Sequence, residues 1–331
     1  MTLKPTTATN GKPSRRIFAI DAARGAALLA MVSYHFTWDL EFFGYVSPGL
    51  TAFGGWKLYA RGIASTFLFL VGVSLVLAHG NGIRWKNFWK RLARIVAAAA
   101  AITVATRFAT PDSFIFFGIL HHIALASVLG LLFVRLPAFV TATAALLVVA
   151  VPHYLRMPAF DHPALWWIGL SPVNPRSNDY VPLFPWFGAV LAGMATTQMA
   201  LRLGLLERLR SWSPARWAGP LILVGQHSLA FYLLHQPVLI GGVWLLSQIA
   251  PPPALSPEQA FISSCQASCR ELRDIVFCTG YCDCMLGRLA DEDMLGRLDR
   301  GEVDAALRAR VADFASTCTA ETDSAVEGGM E

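Results

Sequence analysis

The chain has 331 residues, of which 55% are hydrophobic and 15% are charged, and its formal net charge is +5. Soluble domains usually carry about 25% charged residues, so this composition excludes an ordinary soluble protein. The basic residues concentrate in short loops, where they set membrane orientation, and do not indicate nucleic-acid binding. Apolar runs near twenty residues recur, and about 20 such residues cross a bilayer core. The sequence therefore predicts an all-α, polytopic membrane protein.

The first predicted element is a polar cytoplasmic tail over residues 1–16. It does not begin a secretory signal, because no cleavage site follows the first apolar run of the chain. A membrane domain over 17–249 comes next. Its loops 79–94 and 201–217 are rich in Lys and Arg, which places both in the cytoplasm. Two loops on the same side of a membrane are separated by an even number of spans, and four are predicted between these loops. The apolar patch 164–170 is therefore interpreted as re-entrant or interfacial and not as a fifth span. Seven spans, with the N-terminus inside and the C-terminus outside, are predicted at 17–37, 57–78, 91–108, 115–134, 137–153, 181–200 and 220–248.

The first predicted helix carries ionisable side chains within an otherwise apolar run. Arg24 and His35 are eleven positions apart, so they face the same way and are separated by about 16 Å along the axis. Asp21 precedes Arg24 by three positions and Asp39 follows His35 by four, and these spacings let side chains meet. Ionisable groups inside a membrane usually face a bundle interior or a watery cavity. A structural Asp21–Arg24 ion pair with a snorkelling Arg24, and a packed core histidine at position 35, are the alternatives.

The segment "IDAARGAALLAMVSYHF" (Ile20–Phe36) resembles the first-helix signature of the acyltransferase-3 superfamily. There, an Asp-x-x-Arg-Gly is followed by a His eleven residues after the Arg. The matching residues are Asp21, Arg24, Gly25 and His35.

The wider layout over about 17–248 is more similar to the heparan-α-glucosaminide N-acetyltransferase family and its bacterial relatives. The segments that carry this similarity include "FLFLVGVSLVL" (Phe67–Leu77) and "LVGQHSLAFYLLHQPVL" (Leu223–Leu239). The resemblance implies transfer of an acetyl or other acyl group from cytosolic acyl-CoA to an extracytoplasmic glycan or lipid. Lysosomal members use a His in the loop after the first helix, but the corresponding loop here, 41–57, has none.

The candidate catalytic residues follow from the chemistry of acyl transfer, which needs a base or a nucleophile at the thioester carbon. Imidazole suits this task because its pKa lies near neutral pH. His35 is the main candidate, Asp39 is expected to fix its tautomer, and one of His121 and His122 is expected to contribute. The predicted CoA-binding residues are Arg24, Asp21, Lys90 and Arg91, and the predicted acceptor contacts are His235, Asp179 and Trp38. Topology-setting arginines and lysines, packed histidines and interfacial tryptophans are the structural alternatives, and no metal is expected.

The last part of the chain, residues 250–331, differs in kind. It begins with the Pro-rich linker "APPPALSP" (Ala250–Pro257), which is stiff and extended. All six cysteines lie in this tail, which fits an oxidising compartment such as the periplasm. Their C-x3-C spacing places thiols on one face of a helix, so a small helical hairpin held by three disulfides is favoured, with zinc or free thiols as alternatives. The cysteines are Cys265, Cys269, Cys278, Cys282, Cys284 and Cys318, and six cysteines allow 15 pairings.

Two functions are consistent with these patterns. The first is a membrane acyltransferase of the cell envelope, placed in the inner membrane with its tail in the periplasm and acting on a glycan or lipid. The second is a transporter or exporter of a small metabolite, although the paired broken spans typical of transporters are not evident. The bilayer and the acceptor are the expected partners, nucleic acid is not one, and a homo-oligomer is compatible with the sequence.

Overall fold

The protein is described by a computed structural model that covers residues 17–328 except 48, 213, 254 and 271. The predicted cytoplasmic tail, 1–16, lies outside these residues. Regular secondary structure in the described part is helical, as predicted, and contains no strand. The α-helices are α1 (Phe18–Phe42), α2 (Gly54–His79), α3 (Trp85–Ala109), α4 (Ile119–Gly130), α5 (Ala138–Tyr154), α6 (Leu183–Arg202), α7 (Leu205–Arg210), α8 (Gly219–Gln226), α9 (Ser228–Ile249), α10 (Pro257–Cys269), α11 (Ile275–Asp291), α12 (Leu295–Asp299) and α13 (Ala305–Gly328).

Membrane-spanning capacity is clearest in three of the described helices. α2, α3 and α9 are long and apolar enough to cross a bilayer, which identifies the chain as a membrane protein. α4 and α5 are apolar but have only 12 and 17 residues. The count of seven spans and the orientation of the chain therefore stay predictions.

The predicted seventh span, 220–248, is interrupted. It consists of α8 and α9, and the break falls at His227, whose φ of −106° and ψ of 29° are not helical. α9 continues through Pro237, which lies inside the helix. The apolar patch that was predicted not to span the membrane contains a six-residue 3₁₀ helix, Pro163–Ile168, which is too short to cross a bilayer.

The chain divides into two units. Among the described residues, unit 1 contains those between 17 and 31 and between 61 and 235, and unit 2 contains those between 32 and 60 and between 236 and 328. The core of unit 1 lies where α2 packs against α6, with Leu68, Leu75 and Val190 fully buried. This core positions the helices that carry the candidate site.

Unit 2 contains the cysteine-rich tail. Disulfides join Cys265 to Cys282 and Cys269 to Cys278, and they hold α10 against α11. A third disulfide, between Cys284 and Cys318, links α11 to α13. The pairing agrees with the predicted stapled hairpin. No free cysteine occurs in the described part of the tail.

Candidate functional site

A cavity of unit 1 lies between the beginning of α1, helices α2 and α3, and the α8–α9 break. Its volume is about 880 Å³, within the range of about 300–1,000 Å³ that ligand pockets occupy. Five arginines line it, together with one acidic residue, Asp21, and His227. The lining arginines are Arg24, Arg84, Arg91, Arg94 and Arg210.

Arg24 is anchored inside this cavity by two contacts. Its Nη1 donates to Oδ1 of Asp21 at 2.8 Å, and its Nη2 donates to Oγ of Ser74 on α2 at 2.5 Å. The Ser74 hydroxyl in turn donates to the backbone carbonyl of Leu70. The predicted Asp21–Arg24 pair is therefore present, and it links α1 to α2.

The positive charge of the cavity is only partly neutralised. Arg24 pairs with Asp21 and Arg210 pairs with Glu207, whereas the remaining three arginines have no acidic partner among the described residues. Arg91 is partly buried, and it is close enough to Arg24 for their charges to repel each other. Like charges gathered without counter-charges favour an anionic ligand.

The broken helix reaches the cavity because two glycines allow backbones to touch. A Cβ on Gly25 would lie 2.0 Å from the carbonyl oxygen of Leu221, and a Cβ on Gly225 would lie 1.8 Å from that of Asp21. α1 and α8 can therefore approach closely only without side chains at these positions. The contact places the end of α8 and His227 at the cavity that contains Arg24.

A second polar cluster in unit 1 lies at the start of α4. His121 uses both ring nitrogens inside the protein: Nδ1 accepts from the Gly118 N–H at 3.2 Å, and Nε2 lies 3.1 Å from Oγ1 of Thr103. His122 is fully buried and places Nδ1 3.2 Å from the Val181 carbonyl oxygen. Because a carbonyl can only accept, Nδ1 carries the proton and Nε2 is left as a base. Nε2 has no hydrogen-bond partner among the described residues.

Asp179 lies beside these histidines. Its carboxylate accepts from the backbone N–H of Ile119 at 2.8 Å and so caps the beginning of α4. With His121 and Tyr232 it borders a crevice that is too narrow to hold a water molecule. Burial raises the pKa of Asp179 to about 6, although the hydrogen bond from the Ile119 N–H by itself lowers this pKa. On α9, His235 places Nδ1 2.6 Å from the Tyr232 carbonyl.

The candidate catalytic residues of α1 belong to unit 2. The ring of His35 meets that of Tyr34 edge-on, with centroids 5.6 Å apart. Trp38 stacks on Phe42 at 5.5 Å. Asp39 is fully buried, and its Oδ1 accepts a 2.6 Å hydrogen bond from Nε2 of Gln236. The expected role of Asp39 in fixing the His35 tautomer stays a prediction.

Gln236 adds a feature that the sequence analysis did not include. Its Oε1 and the Oδ2 of Asp39 are both buried without a hydrogen-bond partner among the described residues. Buried polar atoms are normally hydrogen-bonded. Two such acceptors in one place suit a ligand that carries hydroxyl or amine donors.

The structure gathers part of the predicted donor-binding set. Asp21, Arg24 and Arg91 line the cavity, whereas Lys90 is exposed outside the lining. Sequence reasoning had counted Arg84 and Arg94 only as topology-setting loop charges. Ser74, Gln226 and His227 were missed because nothing in their local patterns indicates that α2 and the α8–α9 break meet at α1.

These features define a class: a helical membrane protein whose first helix contributes an Asp–Arg pair to an arginine-lined cavity. The profile described as "Heparan-alpha-glucosaminide N-acetyltransferase, catalytic" matches residues 16–237, more than half of the chain. The chain belongs to this family. No curated protein and no solved structure matches it. The cysteine-rich tail lies beyond the matched range.

Proposed function

We propose that this protein is an integral membrane acyltransferase that takes an acetyl or other acyl group from cytosolic acyl-CoA. The acceptor in this proposal is an extracytoplasmic glycan or lipid of the cell envelope. The observation that carries the proposal is the cavity of unit 1, in which three of five arginines lack an acidic partner among the described residues. The family match supports the same chemistry.

The cavity residues fit the anionic end of CoA, which carries a pyrophosphate and a ribose phosphate. Arginine guanidinium groups bind phosphates through paired N–H donors. Arg91 and Arg94 lie on one helix, three positions apart, and therefore face the cavity together. Arg24, held by Asp21 and Ser74, supplies a positioned donor deeper along α1.

The transfer step is assigned to His35. Arg24 and His35 lie eleven positions apart on α1, about 16 Å along its axis, so their roles must differ. As a base, His35 removes the proton from the acceptor hydroxyl or amine, whose oxygen or nitrogen then forms a bond to the thioester carbon. The carbon–sulfur bond breaks, and the proton passes to the departing thiolate. Alternatively, the imidazole itself accepts the acyl group before the acceptor does.

The acceptor is assigned to the end of α1 that carries His35. Trp38 supplies an aromatic face, and the unsatisfied acceptor atoms of Asp39 and Gln236 suit the O–H or N–H donors of a sugar or of a lipid head group. Asp179 and His235, which were also predicted to contact the acceptor, lie in unit 1.

A transporter of a small metabolite is the second candidate function. The α8–α9 break at the cavity favours it, because interrupted helices often form substrate sites in transporters. The purified protein in vesicles, supplied with labelled acetyl-CoA and fractionated envelope extract, separates the two functions. Transfer of label to an acceptor supports the acyltransferase, and uptake of a solute without CoA supports the transporter.

The donor site is tested most sharply by two neighbouring residues of α3. Arg91→Gln removes a cation that lines the cavity, and Lys90→Gln removes one that does not. A hydrogen bond to a charged group contributes about 1.5–3 kcal/mol, so Arg91→Gln should weaken CoA binding at least about tenfold. Lys90→Gln should change it less than twofold. Calorimetric titration of the purified protein with CoA measures both, and equal effects would reject the cavity as the donor site.

A further inference from the structure

The turn between α10 and α11 exposes large aliphatic side chains. We define the hairpin tip as residues 270 and 272–276. Within it, Leu272 is 87% exposed, Val276 67% and Ile275 58%. The next residue, Phe277, is buried. Three exposed aliphatic side chains thus lie within five residues on a small domain, and exposed apolar patches mark contact surfaces.

The hairpin tip is held rigidly in this exposed form. The disulfide between Cys269 and Cys278 closes the hairpin directly behind it. Asp274 caps α11, because its Oδ1 accepts from the backbone N–H groups of Val276 and Phe277 at 2.9 and 3.0 Å. The aliphatic side chains therefore cannot turn inward without breaking these constraints.

Contacts inside unit 2 hold the hairpin against the loop that precedes α2. The Arg270 guanidinium lies 4.7 Å from the centroid of the Phe53 ring, and Phe53 directly precedes α2, a helix able to span a bilayer. Ala267 lies against Gly49 of the same loop. Glu41 orders this loop, since its carboxylate accepts from the backbone N–H groups of Gly49 and Thr51.

Aromatic residues mark the membrane boundary at this level. Trp56 and Tyr59 lie in the first turns of α2, and Trp38 and Phe42 lie in the last turns of α1. Aromatic belts of this kind form at the level of the lipid head groups. Because Arg270 contacts Phe53 of the loop that joins these two helix ends, the hairpin tip begins near this aromatic level.

We infer that the hairpin tip inserts Leu272, Ile275 and Val276 into the head-group layer of the bilayer and anchors the tail to the membrane surface. The partner is lipid, and the insertion is driven by apolar contact. Electrostatic attraction is not the main force, because the sequence "RELRDIV" (Arg270–Val276) balances two arginines with two acids. The inference does not depend on the acyltransferase proposal.

The test uses the full-length protein in phosphatidylcholine nanodiscs that contain a lipid with a nitroxide near the glycerol end of its acyl chain. A fluorescent amino acid replaces Leu272, Val276 or, as the control, Val303. Val303 is 40% exposed in the same tail but follows α12, beyond the far end of the 17-residue α11, about 25 Å along that helix. Since all three positions are exposed, the label need not disturb the core, and resistance to thiol labelling verifies that the disulfides are intact.

We expect the nitroxide to quench the label at 272 and 276 at least threefold more than at 303. The difference should persist in 0.5 M salt and should not require anionic lipid. Similar quenching at all three positions would overturn the inference. Weak quenching combined with a dimer that Leu272→Glu dissociates would also overturn it, because the hairpin tip would then contact a second copy of the chain.

Discussion

At the scale of single residues, Arg24 combines a structural ion pair and a place in a candidate ligand site, which the sequence presents as alternatives. Its pairing with Asp21 is the predicted ion pair, and its bond to Ser74 ties α1 to α2. Yet Asp21 neutralises only one of the five arginines of the cavity. A structural role for the pair and a ligand-binding role for the surrounding charge are therefore compatible.

His35 carries the central mechanistic prediction. His35→Ala should abolish acyl transfer, with a loss of at least about 10²-fold, because general-base catalysis contributes about 10²–10⁴-fold. CoA binding should stay within about twofold, since the arginine cavity does not include this residue. A radiolabel transfer assay and a CoA titration on the same preparation measure the two effects. Near-normal transfer would make the imidazole structural and direct attention to His122.

Asp179 gives a prediction about pH. Its pKa rises from the ordinary 3.8 to about 6 in the folded protein, so the folded state holds the proton more tightly than the unfolded chain does. This contribution to stability is present below about pH 4 and is lost as the pH rises through about 6. Asp179→Asn cannot ionise, yet it keeps an acceptor for the Ile119 N–H.

The Asp179→Asn variant should therefore equal or exceed the wild type in free energy of unfolding at pH 7. The gain is at most about 3 kcal/mol, from about 1.36 kcal/mol per pKa unit, and solvent access reduces it because Asp179 is only partly buried. Thermal unfolding in detergent between pH 4 and pH 8 measures the difference. Parallel pH profiles for the two proteins would contradict the assignment.

At the scale of helices, the contact between α1 and α8 is the decisive packing feature of the cavity. Gly225→Ala would place a Cβ 1.8 Å from the Asp21 carbonyl oxygen, and relief of this clash requires the two backbones to separate. Overpacking of this kind usually costs about 1–3 kcal/mol. We expect a lower unfolding temperature together with weaker CoA binding.

Gly242→Ala is the matched control for this substitution. Gly242 also lies in a helix, α9, but a Cβ there meets no atom within 4 Å. Because alanine favours a helix by up to about 1 kcal/mol over glycine, the control should be neutral or stabilising. If both variants behave alike, the close approach of α1 and α8 does not determine the cavity.

At the scale of the whole molecule, orientation is the main prediction. Positive charge in loops 79–94 and 201–217 predicts that both face the cytoplasm, and seven spans then place residue 250 and the tail outside. Fusions of alkaline phosphatase and of a fluorescent protein after Trp212 and after Glu331 test this. Phosphatase should be active only in the second fusion and fluorescence present only in the first. If the fusions after Trp212 and after Glu331 report the same compartment, the odd number of spans and the periplasmic tail are both rejected.

The sequence by itself determined the helical class, the membrane character and the family resemblance. Composition and the length of apolar runs indicate whether a helix lies in lipid or in water. The Asp-x-x-Arg-Gly motif can be identified because all its residues lie in one helix. It also predicted a disulfide-stapled helical hairpin in the tail, because the C-x3-C spacing fixes the face on which the thiols lie. The sequence also predicted most of the order of helices, but it did not predict the break at His227 that divides the seventh span into α8 and α9.

Only the tertiary structure decided which groups meet. The break at His227 is not marked by a proline in the sequence, whereas Pro237 lies inside α9 without ending it. Of the neighbouring cations on α3, Arg91 lines the cavity and Lys90 does not. The rotation of α3 about its axis determines which of the two faces the cavity. The pairing of Asp39 with Gln236 joins residues 197 positions apart. Periodicity specifies the face of one helix, but the partner of that face depends on side-chain and backbone fit between distant segments, which no local pattern records.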